Sequence, residues 1–362
     1  MKVLVTGGTG FVGSHTVKAV IDAGHEPRLL VRSAGRLAPA LEPLGVRDVQ
    51  HVVGDATDAE AVRRAMDGCD AVVHAAAIFS YDAREARAMQ RVNARATEVV
   101  LGAAHAGGLD PIVYVSSYVA LLPAVEILDG DTPVGEPRGV YARSKAETER
   151  MARQLQDEGA PVVITYPGMV WGPHDPHLGE AATFARSVLR GLVPVIPPGV
   201  LPVVDVRDVA AAHAAVLNPG LGSRRYLLAG ATASLADMIR TIGRLTGRRL
   251  IAVKAPAPLV LGMTSAGDLV QRALPFRLPF NFGGVWVATN GGPIDASATE
   301  RDLGVRFRPS EDSIADMLRW LHAAGHLTDR QAGRWRRPLP SACPAGRAAS
   351  LPRTEAARRP DP

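Results

Sequence analysis

The stretch MKVLVTGGTGFVGSHTVKAVIDAG, residues 1–24, decides the fold of this chain of 362 residues. Its first part, Val3–Val5, is an apolar run that predicts a buried strand. Its last part, Ser14–Ala23, places apolar side chains on one face of a helix, and Gly24 follows as a stop signal. The chain between them is rich in glycine. The stretch therefore predicts a strand, a glycine turn and a helix in direct succession.

The glycines are spaced Gly7-x-x-Gly10-x-x-Gly13. A tight turn needs the first glycine, close approach of a pyrophosphate to the backbone needs the second, and packing of the helix on the sheet needs the third. The helix that begins near Phe11, with Val12 in its first turn, then directs free N–H groups at the phosphates. We therefore predict a dinucleotide site at these five residues. The alternative is a glycine-rich turn without a ligand.

Apolar runs and helical patterns alternate through the first half of the chain. The predicted strands are 3–5, 28–31, 49–53, 71–74, 112–115 and 162–164, and the predicted helices are 14–23, 59–66, 85–106 and 141–158. Such alternation implies right-handed crossovers and a parallel sheet, whose strands read as continuous apolar runs because both faces are covered. The sequence predicts an α/β fold, a Rossmann-type doubly wound parallel sheet with a smaller C-terminal α/β substrate-binding domain.

The pattern loosens after Pro167, where proline and glycine become frequent and helices are predicted at 181–190, 208–217, 235–245 and 310–323. We assign residues 1–166 to a nucleotide-binding domain, to which a segment near 203–230 returns. Residues 167–330 form most of the smaller domain, over the carboxyl edge of the sheet. Residues 334–362 are a tail rich in Pro, Ala and Arg without hydrophobic periodicity, which predicts disorder.

The net charge of +5 comes from the C-terminal tail. That tail holds seven arginines against Glu355 and Asp361, so the rest of the chain is neutral. This distribution argues against a nucleic-acid partner and favours a solvated extension.

Hydropathy and cysteine content indicate a cytoplasmic protein. No apolar run approaches the roughly 20 residues of a membrane span, and the run 193–204 is broken by four prolines. Met1-Lys2 leads directly into a strand, with no pattern of a signal peptide. Cys69 and Cys343 are far apart and give no disulfide framework. We expect no membrane partner and a small-molecule substrate.

The end of the second predicted strand indicates which dinucleotide is bound. An NAD site usually has an acidic residue about 20 positions after the glycine turn, on the ribose 2′-hydroxyl. Here the strand ends in Val31-Arg32-Ser33, with Arg36 close behind and no carboxylate. A guanidinium suits a 2′-phosphate, so we favour NADP(H) over NAD(H). The alternative is that Arg32 is an ordinary surface arginine.

A candidate catalytic group follows at Tyr141-Ala142-Arg143-Ser144-Lys145. Residues four apart lie on one helical face, so the Tyr141 hydroxyl and the Lys145 ammonium can be neighbours. An adjacent ammonium favours the phenolate, and we expect it to lower the pKa of Tyr141. The hydroxyl could then exchange a proton with a carbonyl or alcohol oxygen during hydride transfer. A serine at the strand end Ser116-Ser117 could hold that oxygen against Tyr141.

Short motifs in a fixed order extend this pattern over residues 1 to 325. They are Thr6-Gly7-Gly8-Thr9-Gly10-Phe11-Val12-Gly13, Gly54-Asp55, His74-Ala75-Ala76-Ala77, Asn93, Val115-Ser116-Ser117, Tyr141-x-x-x-Lys145, Pro167-Gly168-Met169-Val170-Trp171-Gly172-Pro173 and Val204-Asp205-Val206-Arg207-Asp208-Val209-Ala210. With them the chain resembles an extended short-chain dehydrogenase/reductase, of the NAD(P)-dependent epimerase/dehydratase family. That superfamily includes nucleotide-sugar epimerases, dehydratases and dihydroflavonol-reductase-like enzymes.

The resemblance implies roles for the matching residues. Asp55 would contact the adenine, and Lys145 would also bond the nicotinamide ribose. The backbone of Ala75, Ala76 and Ala77 would pass beneath the cofactor. Pro167, Met169 and Val170 would flank the nicotinamide. Ser117 is a better match than Ser116 to the catalytic serine, and Asn93 would support the geometry of the site.

Departures from the family's patterns bear on the substrate. Nucleotide-sugar enzymes typically have Arg and Asn where this chain has Tyr166 and Met169, which argues against a sugar nucleotide. Dehydratases usually have Asp-Glu after the catalytic serine or threonine, whereas Tyr118-Val119 follow Ser117 here. Several residues could line an apolar pocket, or could instead belong to the ordinary core: Phe79, Tyr81, Met169, Trp171 and the segment 280–286.

We therefore expect an oxidoreductase that moves a hydride between NADP(H) and a carbonyl or alcohol carbon of a largely apolar molecule. Tyr141 would be the acid/base, Lys145 its partner and Ser117 the orienting hydroxyl. The alternatives are an epimerase that keeps its cofactor, and a dinucleotide sensor or scaffold without catalysis. NAD remains an alternative cofactor.

Two further expectations concern metals and assembly. The segment His174-Asp175-Pro176-His177 has ligand residue types, but a proline-containing loop fixes no ligand geometry, so we expect no metal. The helices 85–106 and 141–158 could form a homodimeric four-helix interface, as the resemblance suggests.

Overall fold

A computed structural model describes residues 1–81, 83–124, 126–271 and 281–335. Its largest sheet is parallel throughout, and its strands lie in the order β10-β6-β5-β4-β1-β2-β3. The strands are β1 Lys2–Thr6, β2 Glu26–Val31, β3 Gln50–Val53, β4 Ala71–His74, β5 Ile112–Val115, β6 Val162–Pro167, β7 Met169–Trp171, β8 Val195–Ile196, β9 Leu201–Asp205, β10 Arg224–Leu228, β11 Ala231–Ala233 and β12 Val253–Lys254. The first strand is therefore central, where the strand order reverses.

Helices cover both faces of this sheet. In chain order, the helices of the described residues are α1 Phe11–Asp22, α2 Leu37–Leu41, α3 Ala59–Met66, α4 Ala86–Ala106, α5 Val140–Asp157, α6 Glu180–Leu189, α7 Val206–Ala215, α8 Leu235–Thr246, α9 Ala257–Gln271, α10 Phe282–Asn290, α11 Ser297–Leu303, α12 Ser310–Ala323 and α13 Asp329–Ala332. Among the described residues, none of these helices has the length and apolarity that a membrane span requires.

The alternation of side chains along β1 explains the two layers. Leu4 faces a core that contains residues of α3, α4 and α5, whereas Val3 and Val5 face a core that contains residues of α1 and α7. All three side chains are fully buried. Burial of one such side chain contributes roughly 1.5–3 kcal/mol, which is why a central strand is apolar on both faces. The predicted α/β fold with a doubly wound parallel sheet is confirmed.

The second half of the chain both returns to the sheet and builds beside it. Within the segment 203–230, β10 joins the large sheet beside β6. The strand β9 instead pairs with β7 and β11 in a separate sheet of three strands. The strands β8 and β12 form a further pair. The division into domains at residue 166 stays a prediction.

Helix and strand ends differ modestly from the sequence prediction. The first helix begins at Phe11 rather than Ser14, directly after the glycines. The helices predicted at 85–106 and 141–158 are α4 and α5, which pack against each other. Their outer surface carries exposed charged residues, including Arg87, Arg91 and Glu147. Pairing of two copies through this surface stays a prediction. Cys343 and nearly all of the tail lie outside the described residues.

Candidate active site

The glycine turn is closed by contacts that allow no side chain at two positions. Gly7 has a φ of +76°, and a Cβ there would lie 2.6 Å from the amide nitrogen of Ala76. A Cβ at Gly13 would lie 2.1 Å from the carbonyl oxygen of Gly7. Both contacts are far inside van der Waals range. These glycines therefore hold the turn against the loop after β4 and bring α1 onto the sheet.

Gly10 is the N-cap of α1, and its own N–H donates to the Gly7 carbonyl over 2.9 Å. No side chain among the described residues caps this end, and the first turn, with Phe11 and Val12, contains no acidic residue. The free N–H groups and the positive end of the helix dipole are thus available for an anion. The bare turn fits the pyrophosphate of a dinucleotide.

Arg32 and Asp55 lie at the ends of neighbouring strands. β2 and β3 pair with Val31 opposite Val53, so the two residues follow at the same edge of the sheet. Arg32 is exposed, and its positive charge contributes to lowering the pKa of Asp55. The larger cause is the hydrogen bond that the Thr57 amide donates to the Asp55 carboxylate over 2.9 Å. The carboxylate therefore stays ionised and partly accessible.

The loop after β4 lies directly beside the glycine turn. The amide of Ala75 donates to the Thr6 carbonyl over 3.2 Å, and the amide of Ala76 donates to the Thr6 hydroxyl over 3.3 Å. Ala77 is the exposed member of this run. The contacts place the three alanines next to Gly7, as a cofactor-binding role requires.

The segment from Pro167 to Val170 leads from β6 into β7. Pro167 ends β6 and is buried, whereas Met169 and Val170 begin β7 and are half-buried. The chain then reaches Gly172, where a Cβ would lie 3.7 Å from the ring of Phe11. The residue that follows β7 thus lies close to the start of α1.

Ser117, Tyr141 and Lys145 come together at the carboxyl edge of β5. Ser117 follows this strand, and its side chain lies close enough to Tyr141 to contribute to lowering the pKa of the phenol. Tyr141 is the second residue of α5, and Lys145 lies one turn later. The Lys145 ammonium donates to the carbonyl oxygen of Val115 over 3.0 Å and lies 5.6 Å from the centre of the Tyr114 ring. The structure brings the predicted triad together.

The expectation that Lys145 lowers the pKa of Tyr141 is wrong for this structure. Burial raises the pKa of Tyr141, the negative charge of Glu180 raises it further, and the neighbouring Ser117 side chain opposes both. Burial also lowers the pKa of Lys145 to about 8, against the carboxylate of Glu149. The reason is geometric, because the ammonium is directed at the Val115 carbonyl. Tyr141 is therefore a protonated phenol at neutral pH.

Asn93 connects the loop after β4 with the start of α5. Its side-chain oxygen accepts from the Ile78 amide over 2.8 Å, and its amide nitrogen donates to the Ile78 carbonyl over 3.0 Å. The same nitrogen donates to the Ser144 hydroxyl over 3.1 Å. The loop after β4 is thereby joined to the first turn of α5, which carries Tyr141.

Aromatic rings surround Tyr141. Phe79 and Tyr81 meet its ring edge-on, at centroid distances of 4.5 Å and 6.0 Å, and they meet each other at 5.0 Å. Phe79 is 45% exposed, so this wall is open to solvent on one side. Tyr81 also lies against the start of α10, where a Cβ at Gly283 would be 2.7 Å from its ring. The site therefore has an apolar wall on the side of Tyr141.

Glu180 is a site residue that the sequence prediction missed. It is the first residue of α6 and accepts a hydrogen bond of 3.3 Å from the Tyr81 hydroxyl. Loss of surrounding water raises the pKa of its carboxyl to about 7. In the sequence Glu180 has only the signature of an acidic residue in a helix's first turn, so no local pattern connects it with Tyr81, 99 residues away.

Three other aromatic residues prove to be core residues. Tyr166 is fully buried, donates to Glu149 over 2.5 Å and accepts from Arg153 over 3.0 Å. Tyr166 thus packs against the Glu149–Arg153 ion pair, and the argument against a sugar nucleotide drawn from this position stays a prediction. Trp171 is fully buried against Phe184, and Trp286 is 5% exposed. Phe280 lies outside the described residues.

The loop at 174–177 has a structural role. The carboxylate of Asp175 accepts from the amides of His177 and Gly179, over 3.0 Å and 2.6 Å, just before α6. No group of three or more His, Cys, Asp or Glu side chains among the described residues is arranged to hold a metal ion.

Comparison with known proteins agrees with this architecture. Over 340 residues the chain is 27% identical to sterol demethylase protein B of Methylococcus capsulatus, which covers 90% of this chain and 100% of that protein. It is 30% identical over 333 residues to a Synechocystis sp. protein named for a dihydroflavonol 4-reductase, with 89% and 95% covered. The crystal structure of gox2253 superposes with a TM-score of 0.76 at 26% identity, over 90% of this chain and 99% of that one.

A sequence model of one family matches residues 3–229, more than half of the chain. The match begins in β1 and ends just after β10, so it contains the glycine turn, Ser117, Tyr141 and Lys145. The chain is an NAD(P)-dependent enzyme that acts on alcohol or carbonyl groups, and it belongs to the NAD dependent epimerase/dehydratase family.

Proposed function

We propose that this enzyme reduces a ketone or aldehyde on a largely apolar small molecule, with NADP(H) as its cofactor. The observation that carries the proposal is the convergence of Ser117 and the protonated Tyr141 at the end of β5, with the rings of Phe79 and Tyr81 against the ring of Tyr141. The arrangement offers two hydroxyl groups to one substrate oxygen and an apolar surface to the rest of the substrate.

The residues proposed to hold the cofactor surround the glycine turn. They are Gly7, Gly10, Phe11, Val12, Gly13, Arg32, Asp55, Ala75, Ala76, Ala77, Tyr141, Lys145, Pro167, Met169 and Val170. A bound nicotinamide supplies or accepts a hydride at the carbon that carries the substrate oxygen. NADP(H) is favoured over NAD(H) because Arg32 is exposed at the end of β2, where a ribose 2′-phosphate needs a cation.

The proton chemistry falls to the chain's own residues. Ser117 and Tyr141 hydrogen-bond the carbonyl oxygen, and Tyr141 donates its proton as negative charge develops there. Tyr141 is protonated at neutral pH, so the hydroxyl carries the proton that the reduced carbonyl oxygen takes up. Lys145, one turn later in the same helix, anchors α5 to Val115 and would bond the nicotinamide ribose.

The substrate is inferred from the lining of the site and from the relatives. Phe79 and Tyr81 offer ring surfaces, and the half-buried Met169, the first residue of β7, adds an apolar side chain. Two relatives carry names that refer to a sterol and to a dihydroflavonol, both ring systems of low polarity. Apolar ring surfaces favour such molecules because burial releases their hydration water.

The test is a panel of carbonyl compounds followed by NADPH absorbance, with NADH alongside. We expect NADPH-dependent reduction of aryl and alicyclic ketones or aldehydes. The Tyr141→Phe variant should lose at least 100-fold in kcat while it still binds NADPH. Tyr226→Phe is the matched control, because Tyr226 lies on β10 at the edge of the sheet and should keep full activity.

Three outcomes would contradict the proposal, and two of them identify an alternative function. Tightly retained cofactor after purification, without net oxidation or reduction of any compound, would indicate an epimerase. Cofactor binding with turnover unchanged in Tyr141→Phe would exclude Tyr141 as the acid. Binding without any turnover in the wild-type enzyme would indicate a dinucleotide sensor.

A further inference from the structure

The carboxylate of Glu180 lies at the edge of the aromatic wall beside Tyr141. Glu180 is the first residue of α6. The loop just before this helix is fixed by the carboxylate of Asp175, which accepts hydrogen bonds from the amides of His177 and Gly179. The Tyr81 hydroxyl donates to Glu180 over 3.3 Å, and the ring of Tyr81 lies 6.0 Å from the ring of Tyr141. One aromatic residue thus connects the carboxylate with the proposed acid.

Within the part of the chain that the structure describes, no arginine or lysine forms an ion pair with Glu180, and Tyr81 donates a hydrogen bond to its carboxylate. Its field reaches the hydroxyls of Tyr118 and Tyr141, where it contributes to raising both pKa values. Loss of water around the carboxylate also raises its own pKa to about 7. A carboxylate has about four acceptor positions, so this one has unused capacity toward the site.

The side chain of Glu180 is nevertheless accessible. It is exposed at the surface, as is Phe79 on the same wall. A group entering over Phe79 toward Tyr141 therefore passes within reach of a partly dehydrated acceptor. Hydrogen bonds to a charged acceptor in such surroundings are stronger than those in water.

We propose that Glu180, oriented by Tyr81, is a substrate-recognition residue that accepts a hydrogen bond from a hydroxyl group remote from the reacting carbonyl. This inference rests on the proposed function and specifies its substrate as an apolar ring system with a hydroxyl at one end. The aromatic wall binds the ring, Ser117 and Tyr141 bind the carbonyl oxygen, and Glu180 binds the distal hydroxyl. Tyr81 acts as a positioning residue for the carboxylate.

The experiment compares benzylacetone with its para-hydroxyl derivative, which differ by one phenolic hydroxyl. Reduction with NADPH gives kcat/KM for each ketone, and titration calorimetry in the presence of NADP⁺ gives each Kd. The wild-type enzyme should prefer the hydroxylated ketone by about 10-fold or more in both quantities. Glu180→Ala should abolish this preference, so that both quantities worsen about 10-fold more for the hydroxylated ketone than for benzylacetone. Glu180→Gln should keep part of the preference, because its amide oxygen still accepts.

Matched variants separate recognition from a structural effect. Tyr81→Phe should reduce the preference without abolishing it, since the carboxylate remains. Glu60→Gln changes an acidic residue in the first turn of α3 and should leave both ketones unaffected. Equal losses on both ketones in Glu180→Ala, or no wild-type preference in Kd, would overturn the inference. A preference in Kd without any reduction would instead overturn the proposed reaction and support the subsite.

Discussion

The Lys145 ammonium donates to the carbonyl oxygen of Val115 over 3.0 Å, and this bond ties α5 to the end of β5. Ser117 lies two residues beyond Val115, and Tyr141 lies one turn before Lys145. This buried hydrogen bond, together with the one that the Tyr114 hydroxyl donates to the Thr148 hydroxyl over 2.6 Å, joins the strand that leads to the serine and the helix that carries the tyrosine. Lys145 has a structural task here in addition to its proposed contact with the cofactor.

Replacement of Lys145 by Met should separate these tasks. We expect kcat to fall at least 100-fold, because the nicotinamide ribose loses a donor and Tyr141 loses the anchor that positions it. The free energy of unfolding should fall by less than about 2 kcal/mol, since the apolar Met fits the buried site and only the Val115 carbonyl loses a donor. Steady-state kinetics and urea unfolding measure the two effects. The exposed Lys254→Met is the control, and equal activity of both variants would contradict the assigned role.

The glycine turn gives a second prediction, based on two positions three residues apart. Ala at Gly13 would place a Cβ 2.1 Å from the Gly7 carbonyl oxygen, whereas Ala at Gly10 would place it at 3.3 Å. We expect Gly13→Ala to lower the free energy of unfolding by about 2 kcal/mol or more, because backbone must move. Gly10→Ala should cost under about 1 kcal/mol but weaken NADPH binding about 10-fold.

Chemical denaturation and fluorescence titration of NADPH distinguish the two glycine variants. If they prove equally stable, the close packing of Gly13 on Gly7 does not limit this turn. If Gly10→Ala binds NADPH as the wild type does, the pyrophosphate does not approach the backbone there.

The sequence predicts the first half of the fold well because its strands are buried on both faces. Val3–Val5 and Val162–Ile164 are apolar without interruption, which is the pattern of central parallel strands. The strand β10, Arg224–Leu228, lies at the sheet edge and begins with two arginines, so its pattern is weaker. The strand β9 contains Pro202, which argues against a strand when read alone.

In the site, too, the sequence predicts the features that local geometry determines and not those that depend on distant contacts. Tyr141 and Lys145 are four residues apart, so helical geometry alone brings them to one face. The direction of the lysine could not be predicted, because it depends on a carbonyl 30 residues away. The contact of Tyr81 with Glu180 likewise depends on how α6 packs over the sheet edge. The surroundings of Tyr166 could not be predicted for the same reason, since only the fold shows that its hydroxyl contacts Glu149.

A third prediction concerns stability in acid and a histidine outside the catalytic group. His213 is fully buried between the hydroxyls of Thr16 and Thr165, at 2.8 Å and 3.0 Å, and burial lowers its pKa from 6.5 to about 3. Between these two pH values the unfolded chain binds a proton that the folded chain does not. The stabilising contribution is therefore complete above pH 6.5 and is lost as the pH falls toward 3.

Urea unfolding at pH 7.5 and at pH 5.5 tests this linkage. The free energy of unfolding of the wild type should be lower at pH 5.5 than at pH 7.5. For His213→Gln this decrease should be smaller by roughly 1 kcal/mol. Glutamine keeps a donor and an acceptor for the two threonines, so the comparison isolates the titration. An unchanged difference between the two pH values would show that His213 does not set this part of the acid sensitivity.

The last prediction concerns Arg32 and the choice of cofactor. Arg32 is exposed at the end of β2, beside Asp55 at the end of β3, and at this edge a ribose 2′-phosphate would add negative charge. With Arg32 present, the phosphate gains a charge-assisted hydrogen bond and repulsion by Asp55 is offset. Arg32→Ala should weaken NADPH binding 10- to 100-fold and leave NADH binding within about 2-fold. Arg36→Ala, in the short helical turn that follows β2, is the matched control and should change either Kd by less than about 3-fold.

Fluorescence titration of both cofactors at two salt concentrations measures these constants, and the loss should be smaller at high salt because the interaction is screened. Tighter binding of NADH than NADPH by the wild-type enzyme, or parallel losses for both cofactors in Arg32→Ala, would contradict the assignment of NADP(H).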